Sequence, residues 1–427
     1  MAASVEAESD RIVITGIGVE APGDVDDLPS LWEALAGGRE LIGPFPRDRG
    51  WRLDGVGAAS AGSTVVPDAG GFLSEATRFD PEFFGIRLSE ARVAMDPQQW
   101  VALRVAWRAL ENAGVNPGKV KGEACGSFVG ASYNEHRGRS GMTLAAISGR
   151  ISHCLGLYGP AISVDTACAS GLTALHSAAA AIRDGDCEWA LAGAVCVMGQ
   201  PSAFFESAKV NGLATDGHCR SFAEGASGTV WAEGAAVVVL ERESRARRLG
   251  HRVYGRILAS QVNHNGSGRR IILPSATAQE RLIHQTIERA GIGIGDVGLI
   301  EGHGAATRAG DSVEITALQQ TYGSAQRHHR GGPVLGSVKS NLGHTQAAAG
   351  MLGLVKMLLC GARGAIAPSV FSENPTTKVD WAGSNLRLAA ELEPWQPHGG
   401  LRYGAISSFG LAGTNAHLLL AMPELEQ

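Results

Sequence analysis

No two cysteines stand at the two-residue spacing of a metal knuckle or a redox motif. The seven present, at 125, 154, 168, 187, 196, 219 and 360, are odd in number and scattered over 427 residues. A disulfide framework and a zinc site are both disfavoured, and a reducing cytoplasm fits. No run of about 18 apolar residues occurs, and the opening MAASVEAESDR is acidic without an apolar centre, so neither a membrane span nor a secretory leader is expected. An excess of one charge is also missing. Lysine and arginine total 37 against 42 aspartate and glutamate, a formal charge of -5, which offers nucleic acid no basic field. Nor does any Pro/Ser-rich or low-complexity stretch divide the chain into independent domains.

What the chain does have is core-forming material and glycine. At 44% hydrophobic residues it can bury on the order of three-quarters of its unfolded surface. Glycine, 58 of 427, stands at roughly twice average usage without a collagen period, which implies tight turns and close backbone approaches.

Periodicity gives an α/β chain with a partly parallel sheet. Residues 11–18 read as a buried strand entering a Gly-rich loop, and a helix opens at 31–35. Residues 92–114 carry helical spacing, with Asp96 as N-cap, Pro97 at the first position and Gly114 as the stop. Strand-like runs at 126–130, 161–165, 190–198, 229–240, 253–262, 297–300, 333–337 and 402–408 alternate with helices near 170–184, 277–291, 311–321 and 346–362. An internal repeat is suggested twice. A strand enters a Gly-rich loop at 12–18 and 255–266, and a strand meets a small-residue turn and helix at 162–175 and 403–416.

Three places carry chemistry. Cys168 lies in TACASG, where a strand breaks into small residues at a helix start. That setting suits either a nucleophile favoured by the helix dipole or a buried structural cysteine. His303 lies in EGHGAATRAGD and His344 closes VKSNLGH beside Lys339. Both histidines follow strands in loops of small residues, which points to function rather than packing. The His328 and His329 pair, flanked by arginines, reads as a solvated surface.

These motifs, in this order, resemble the Cys-His-His signature of the β-ketoacyl synthases, the condensing enzymes of thiolase fold. APGDVDDLPSLWEALAGGRELIGPFPRDRGW (21–51), GFLSEATRFDPEFFGI (71–86), AMDPQQWVALRVAWRALENAG (94–114) and the closing SSFGLAGTNAHLLL (407–420) are similar to ketosynthase domains of modular polyketide synthases. The resemblance implies five αβαβα layers in two duplicated halves, here 11–252 with the nucleophile and 253–427 with the histidines and lysine, after a disordered leader at 1–10. It implies that Cys168 takes an acyl group from the phosphopantetheine arm of an acyl carrier protein. The N–H groups of Cys168 and Phe409 would form the oxyanion hole, His303 and His344 would hold a second thioester carbonyl, and Lys339 would support them. Thr307, Ala305, Asn341 and Gly410 would line the substrate. A homodimer is implied, with no resident cofactor, no metal, no nucleic acid and no membrane contact.

Two departures from the family pattern stand out. The family loop reads HGTGT, and here Ala305 replaces its first threonine. The segment between Gly130 and Ser148 is shorter than in modular relatives, which implies a reshaped channel. The chain stops ten residues after NAH, as expected of a free-standing ketosynthase. Two enzyme readings follow: decarboxylative condensation with a malonyl extender, or a repurposed cyclase performing an intramolecular aldol with lactone-forming release. A non-catalytic partner of the chain-length-factor kind normally lacks the cysteine that is present here.

Overall fold

The computed structural model describes residues 10–57, 65–132, 143–266, 270–324 and 332–424. The start of the expected leader, most of the shortened segment after Gly130, and the His328 and His329 pair lie outside them. Asp10, counted with the leader, accepts hydrogen bonds from Arg242 and Ser244.

The strands are β1 (Ile12–Glu20), β2 (Cys125–Gly130), β3 (Ala161–Val164), β4 (Trp189–Cys196), β5 (Gly234–Arg242), β6 (Gly255–His264), β7 (Val297–Glu301), β8 (Val334–Gly336), β9 (Ala365–Ile366), β10 (Arg387–Leu388), β11 (Glu393–Pro394), β12 (Leu401–Phe409) and β13 (Thr414–Pro423). The helices are α1 (Leu28–Ala36), α2 (Leu88–Ala94), α3 (Pro97–Asn112), α4 (Ala145–Leu155), α5 (Ser170–Asp184), α6 (Ser202–Lys209), α7 (Glu243–Leu249), α8 (Ala276–Ala290), α9 (Gly310–Gln320), α10 (Lys339–Leu342) and α11 (Ala349–Arg363). The signals at α3 act as read: the Asp96 carboxylate accepts from Gln98 N–H, Pro97 opens the helix, and Gly114 follows its end at φ 73°.

Among the described residues eleven strands form one sheet in the order β10-β8-β7-β12-β13-β6-β1-β5-β4-β2-β3. Outward from the β1/β6 seam the two sides repeat. β1 pairs β5 and β5 pairs β4 antiparallel, then β4 pairs β2 and β2 pairs β3 parallel. On the other side β6, β13, β12, β7 and β8 pair in the same four senses. The seam itself registers only Val13 with Arg256 and Ile14 with Gly255. Helices α3 and α4 cover one half and α8 and α9 the other, with α5 and α11 packed between the halves, which makes five αβαβα layers. Helix α11 is apolar on every side over Ala349–Leu359, apart from one lysine, and is buried over the same stretch, as a wholly apolar helix must be.

The repeat is real, but one of its sequence assignments is wrong. Residues 403–416 do not turn into a helix: β12 and β13 form a hairpin closed by Gly410 N–H to the Thr414 carbonyl. A strand meeting a turn of small residues looks alike whether a helix or a strand follows, and the turn geometry decides. The true counterpart of β3-to-α5 is β8-to-α11. The strand read over 229–240 begins at Gly234; residues 229–232 make only isolated bridges, one of them between Trp231 and His344. The helix read from 346 begins as a 3-10 turn at Gln346–Ala348.

The two central helices touch near their N-termini through glycine. A Cβ on Gly171 would sit 2.7 Å from Met351 Cγ, and one on Gly350 would sit 2.7 Å from Leu172 Cγ. Overpacking there costs about 1–3 kcal/mol. Gly350→Val is therefore expected to lower the denaturation midpoint clearly, and an unchanged urea transition would refute this account of the helix contact.

Candidate active site

Cys168, His303, Lys339, His344 and Phe409 all stand at or just after the C-terminal end of a strand of the parallel portions. Cys168 follows β3, His303 follows β7, Lys339 and His344 follow β8, and Phe409 ends β12. Carboxyl ends of parallel strands are where open α/β sheets build their sites.

Cys168 is not the first residue of α5 but stands two before it, in a strained bend. Ala167 takes φ 54°, a left-handed conformation that a non-glycine residue adopts only when its surroundings enforce it. They do so with three hydrogen bonds: Ala167 N–H to Asp165 Oδ1 at 2.9 Å, Ser170 Oγ to the Ala167 carbonyl at 2.5 Å, and Thr166 N–H to Ser170 Oγ at 2.9 Å. From the other half of the molecule Ser408 Oγ donates to the Cys168 carbonyl at 2.7 Å. Gly410 lets the hairpin close over the bend, since a Cβ there would lie 2.2 Å from the Thr166 carbonyl. Burial pushes the thiol up to about 11, against the pull of the Lys339 cation and the Leu411 N–H.

The two imidazoles lie edge to face, ring centroids 5.4 Å apart. His344 is buried, with Trp231 tilted against it at 5.0 Å. Its Nδ1 accepts from Gln346 N–H at 3.0 Å, and His303 Nδ1 accepts from Phe409 N–H at 3.3 Å. An Nδ1 that accepts is unprotonated, so the proton of each neutral ring is assigned to Nε2. Both rings are held neutral far below the ordinary imidazole range, first by burial and then by the Lys339 cation. The site thus presents two uncharged N–H donors that do not titrate near neutrality.

Lys339 is buried at the start of α10. Burial lowers its pKa, and the carboxylates of Glu301 and Glu314 work against that fall. Glu314 also shapes the histidine loop: its two oxygens accept from His303 N–H at 2.6 Å and Gly304 N–H at 2.8 Å. One helical turn earlier Asp311 accepts from Phe222 N–H at 2.8 Å. Burial raises both carboxyls to about 7. Sequence reading passed over this pair, although its i,i+3 spacing in GDSVE, directly after the histidine loop, marks two acids on one face of α9.

The expected substrate-lining residues divide. Ala305 is buried in the His303 loop, and next to it Ala306 takes φ 60° where the family pattern has glycine. Thr307 Oγ1 accepts from Gly310 N–H at 3.2 Å. Gly410 contributes close backbone approach. Asn341 is buried: its side-chain amide donates to the Arg39 carbonyl at 3.1 Å, and its backbone carbonyl accepts from Leu41 N–H, tying the α10 loop to the N-terminal segment. Among the described residues no group of three or more His, Cys, Asp or Glu side chains is arranged to hold a metal, and no helix is long and apolar enough to cross a membrane.

Comparison with known proteins places this geometry. Residues 9–246 match the family described as "Beta-ketoacyl synthase, N-terminal domain", and residues 254–372 match "Beta-ketoacyl synthase, C-terminal domain". The chain is 43% identical over 425 residues to the phenolphthiocerol synthesis polyketide synthase type I Pks15/1 of Mycobacterium bovis, which covers 96% of this chain and 20% of that protein. It is 44% identical over 423 residues to the spectinabilin polyketide synthase system protein NorA' of Streptomyces orinoci, covering 96% of this chain and 11% of that one. It therefore spans about a fifth or less of these relatives. Among solved structures, the oxazolomycin ketosynthase domain OzmH KS7 of Streptomyces albus JA3453 superposes with a TM-score of 0.92 at 37% identity, over 98% of this chain and 75% of that one. The ketosynthase from module 6 of the bacillaene synthase of Bacillus subtilis 168 gives 0.92 at 34%, over 98% and 73%. With both halves matched, and with thiol, paired imidazoles and lysine meeting across them, the chain belongs to the β-ketoacyl synthase family and has the thiolase fold.

Proposed function

We propose that the protein forms a carbon–carbon bond on an acyl chain held as a thioester on Cys168, with substrates delivered on the phosphopantetheine arm of an acyl carrier protein and no resident cofactor. The observation that carries this reading is the meeting of one half-buried thiol with two neutral imidazoles that both present Nε2–H, beside a buried ammonium. The thiol attacks the incoming thioester carbon, its proton leaves with the departing pantetheine sulfur, and the developing oxyanion draws the N–H of Cys168 and of Phe409. The Phe409 N–H makes a long bond to His303 Nδ1, weak enough for the oxyanion to replace as acceptor. In the second step the imidazole N–H groups of His303 and His344 hold the carbonyl of a malonyl-type thioester as it loses carbon dioxide and becomes an enolate. The enolate carbon then attacks the acyl carbon and expels the Cys168 sulfur.

A second copy of the chain is the natural partner for β3. This strand ends the sheet with its outer edge unpaired among the described residues; Ile162 within it is 44% exposed and Tyr158 just before it 81%. An exposed apolar edge of this kind invites pairing. Seven cysteines with free thiols suit a reducing cytoplasm.

One observation favours a second reading. Ala305 has no hydroxyl where the family pattern places a threonine, so an extender arm would lose a hydrogen bond worth about 0.5–1.5 kcal/mol, or roughly three- to tenfold in use of malonyl-carrier. A cyclase that performs an intramolecular aldol on the loaded chain, and releases it as a lactone, needs no such arm.

Cys168→Ala is expected to fold normally and to take up no acyl group from an acyl-carrier donor by intact-mass analysis; an adduct that persists, or that maps to Cys154 or Cys196, refutes the nucleophile. His303→Ala and His344→Ala should still load Cys168 while the carbon–carbon step slows by about 10²–10⁴-fold, and an equal loss of loading would assign the rings to thiol activation or to structure. Ala305→Thr separates the two readings. A condensing enzyme gains rate with malonyl-carrier and lengthens its chain by two carbons, whereas a cyclase gains nothing and turns over without any malonyl donor.

A further inference from the structure

The buried stretch Ala349–Leu359 of helix α11 carries one charge, Lys356, among residues that are otherwise apolar. Its ammonium lies 3.0 Å from Glu301 Oε2, and both side chains are almost fully enclosed, at 1% and 3% exposure. An ion pair this deep returns little net stability against its desolvation, so its presence calls for another role. Space has been set aside for it. A Cβ on Gly353 would press on Glu301 Cγ at 2.9 Å, and one on Gly336 would lie 3.2 Å from Lys356 Nζ.

The contacts of this pair lead to the site from both sides. Glu301 is the last residue of β7, two before His303. Its other oxygen accepts from Val338 N–H at 2.5 Å, and Val338 is the residue that caps α10 and precedes Lys339. Lys356 also reaches Ser369 Oγ, which accepts from Ser337 N–H at 2.9 Å. One carboxylate thereby fastens the loop that bears Lys339 and His344 to the strand that bears His303, and faces two lysines at once.

We propose that Glu301 is a positioning residue shared by two buried lysines: clamped by Lys356, it fixes the Lys339 loop against the His303 strand and supplies an anion that keeps Lys339 charged. This rests on the two-histidine reading of the site and adds to it the group that holds the cation. The groups facing Lys339 are Glu301 from β7, Asp311 and Glu314 from α9, Cys168 from the bend before α5, Cys219, and the rings of His303 and His344. Of these, Glu301 is the one whose charge is divided with a second lysine.

The test is the pH dependence of the carbon–carbon step with a pre-loaded acyl chain and malonyl-carrier. Activity that needs the Lys339 cation falls as pH rises through its titration. Glu301→Gln keeps the acceptor for Val338 N–H but removes the anion, so the basic limb should move down by about one unit, the low end for loss of a neighbouring opposite charge. Lys356→Met leaves the carboxylate wholly to Lys339, so the limb should hold or move up. The double variant Glu301→Gln with Lys356→Met strands no buried charge, so it folds even if the single Glu301 variant does not, and its limb should also move down. Cys168 loading, read below the limb where Lys339 is charged in every variant, should stay within about twofold. Variants that all slow by a similar factor on an unshifted profile would overturn the proposal and leave the pair a structural one. A wild-type protein that loads no acyl group or forms no carbon–carbon bond would overturn the reading of the site, and this proposal with it.

Discussion

A lysine buried beneath a half-buried thiol and imidazole is the constraint around which the rest of the centre is arranged. Lys339 sits at the start of a four-residue helix, and its field reaches the thiol, both imidazoles and four carboxyl or thiol groups beyond them. In water such a charge would be screened within a few ångströms; here burial leaves it effective on every neighbour. It draws the thiol toward ionisation and adds to burial in holding the imidazoles neutral, so one cation sets two opposite tendencies. The bidentate hold of Glu314 on the His303 loop, and the Glu301 bond to Val338, are the geometric counterpart of that field, because a buried cation steadies the site only if its partners cannot move away.

Much of this was legible in the sequence, for physical reasons. Strand-to-loop transitions into small residues are conspicuous where a chain brings side chains together without crowding them, and Cys168, His303 and His344 stand at such transitions. Asp96 with Pro97 marked a helix start because an N-cap and a missing N–H are local requirements. The acids were harder to see. Asp311 and Glu314 matter through backbone N–H groups some ten residues and more away, and nothing local in their helix distinguishes a carboxylate that caps a loop from one that faces solvent.

One expectation fails for want of the third dimension. The small-residue turn in 403–416 resembles the turn after β3 and so predicts a helix, but the neighbour in space decides: β13 runs back along β12. Tertiary pairing is written in no window of ten residues.

The repeat of strand order has a consequence for how labour is divided. The turn from β3 into α5 and the turn from β8 into α11 occupy matching places in the two halves, yet the first carries sulfur and the second carries nitrogen, Lys339 and His344. A symmetric scaffold has been given unlike tools at its two equivalent corners, and the site exists only where those corners face each other. Separated at the seam, where two residues on each side keep register, one piece would keep the thiol and the other the lysine and the imidazoles, and neither would keep the site.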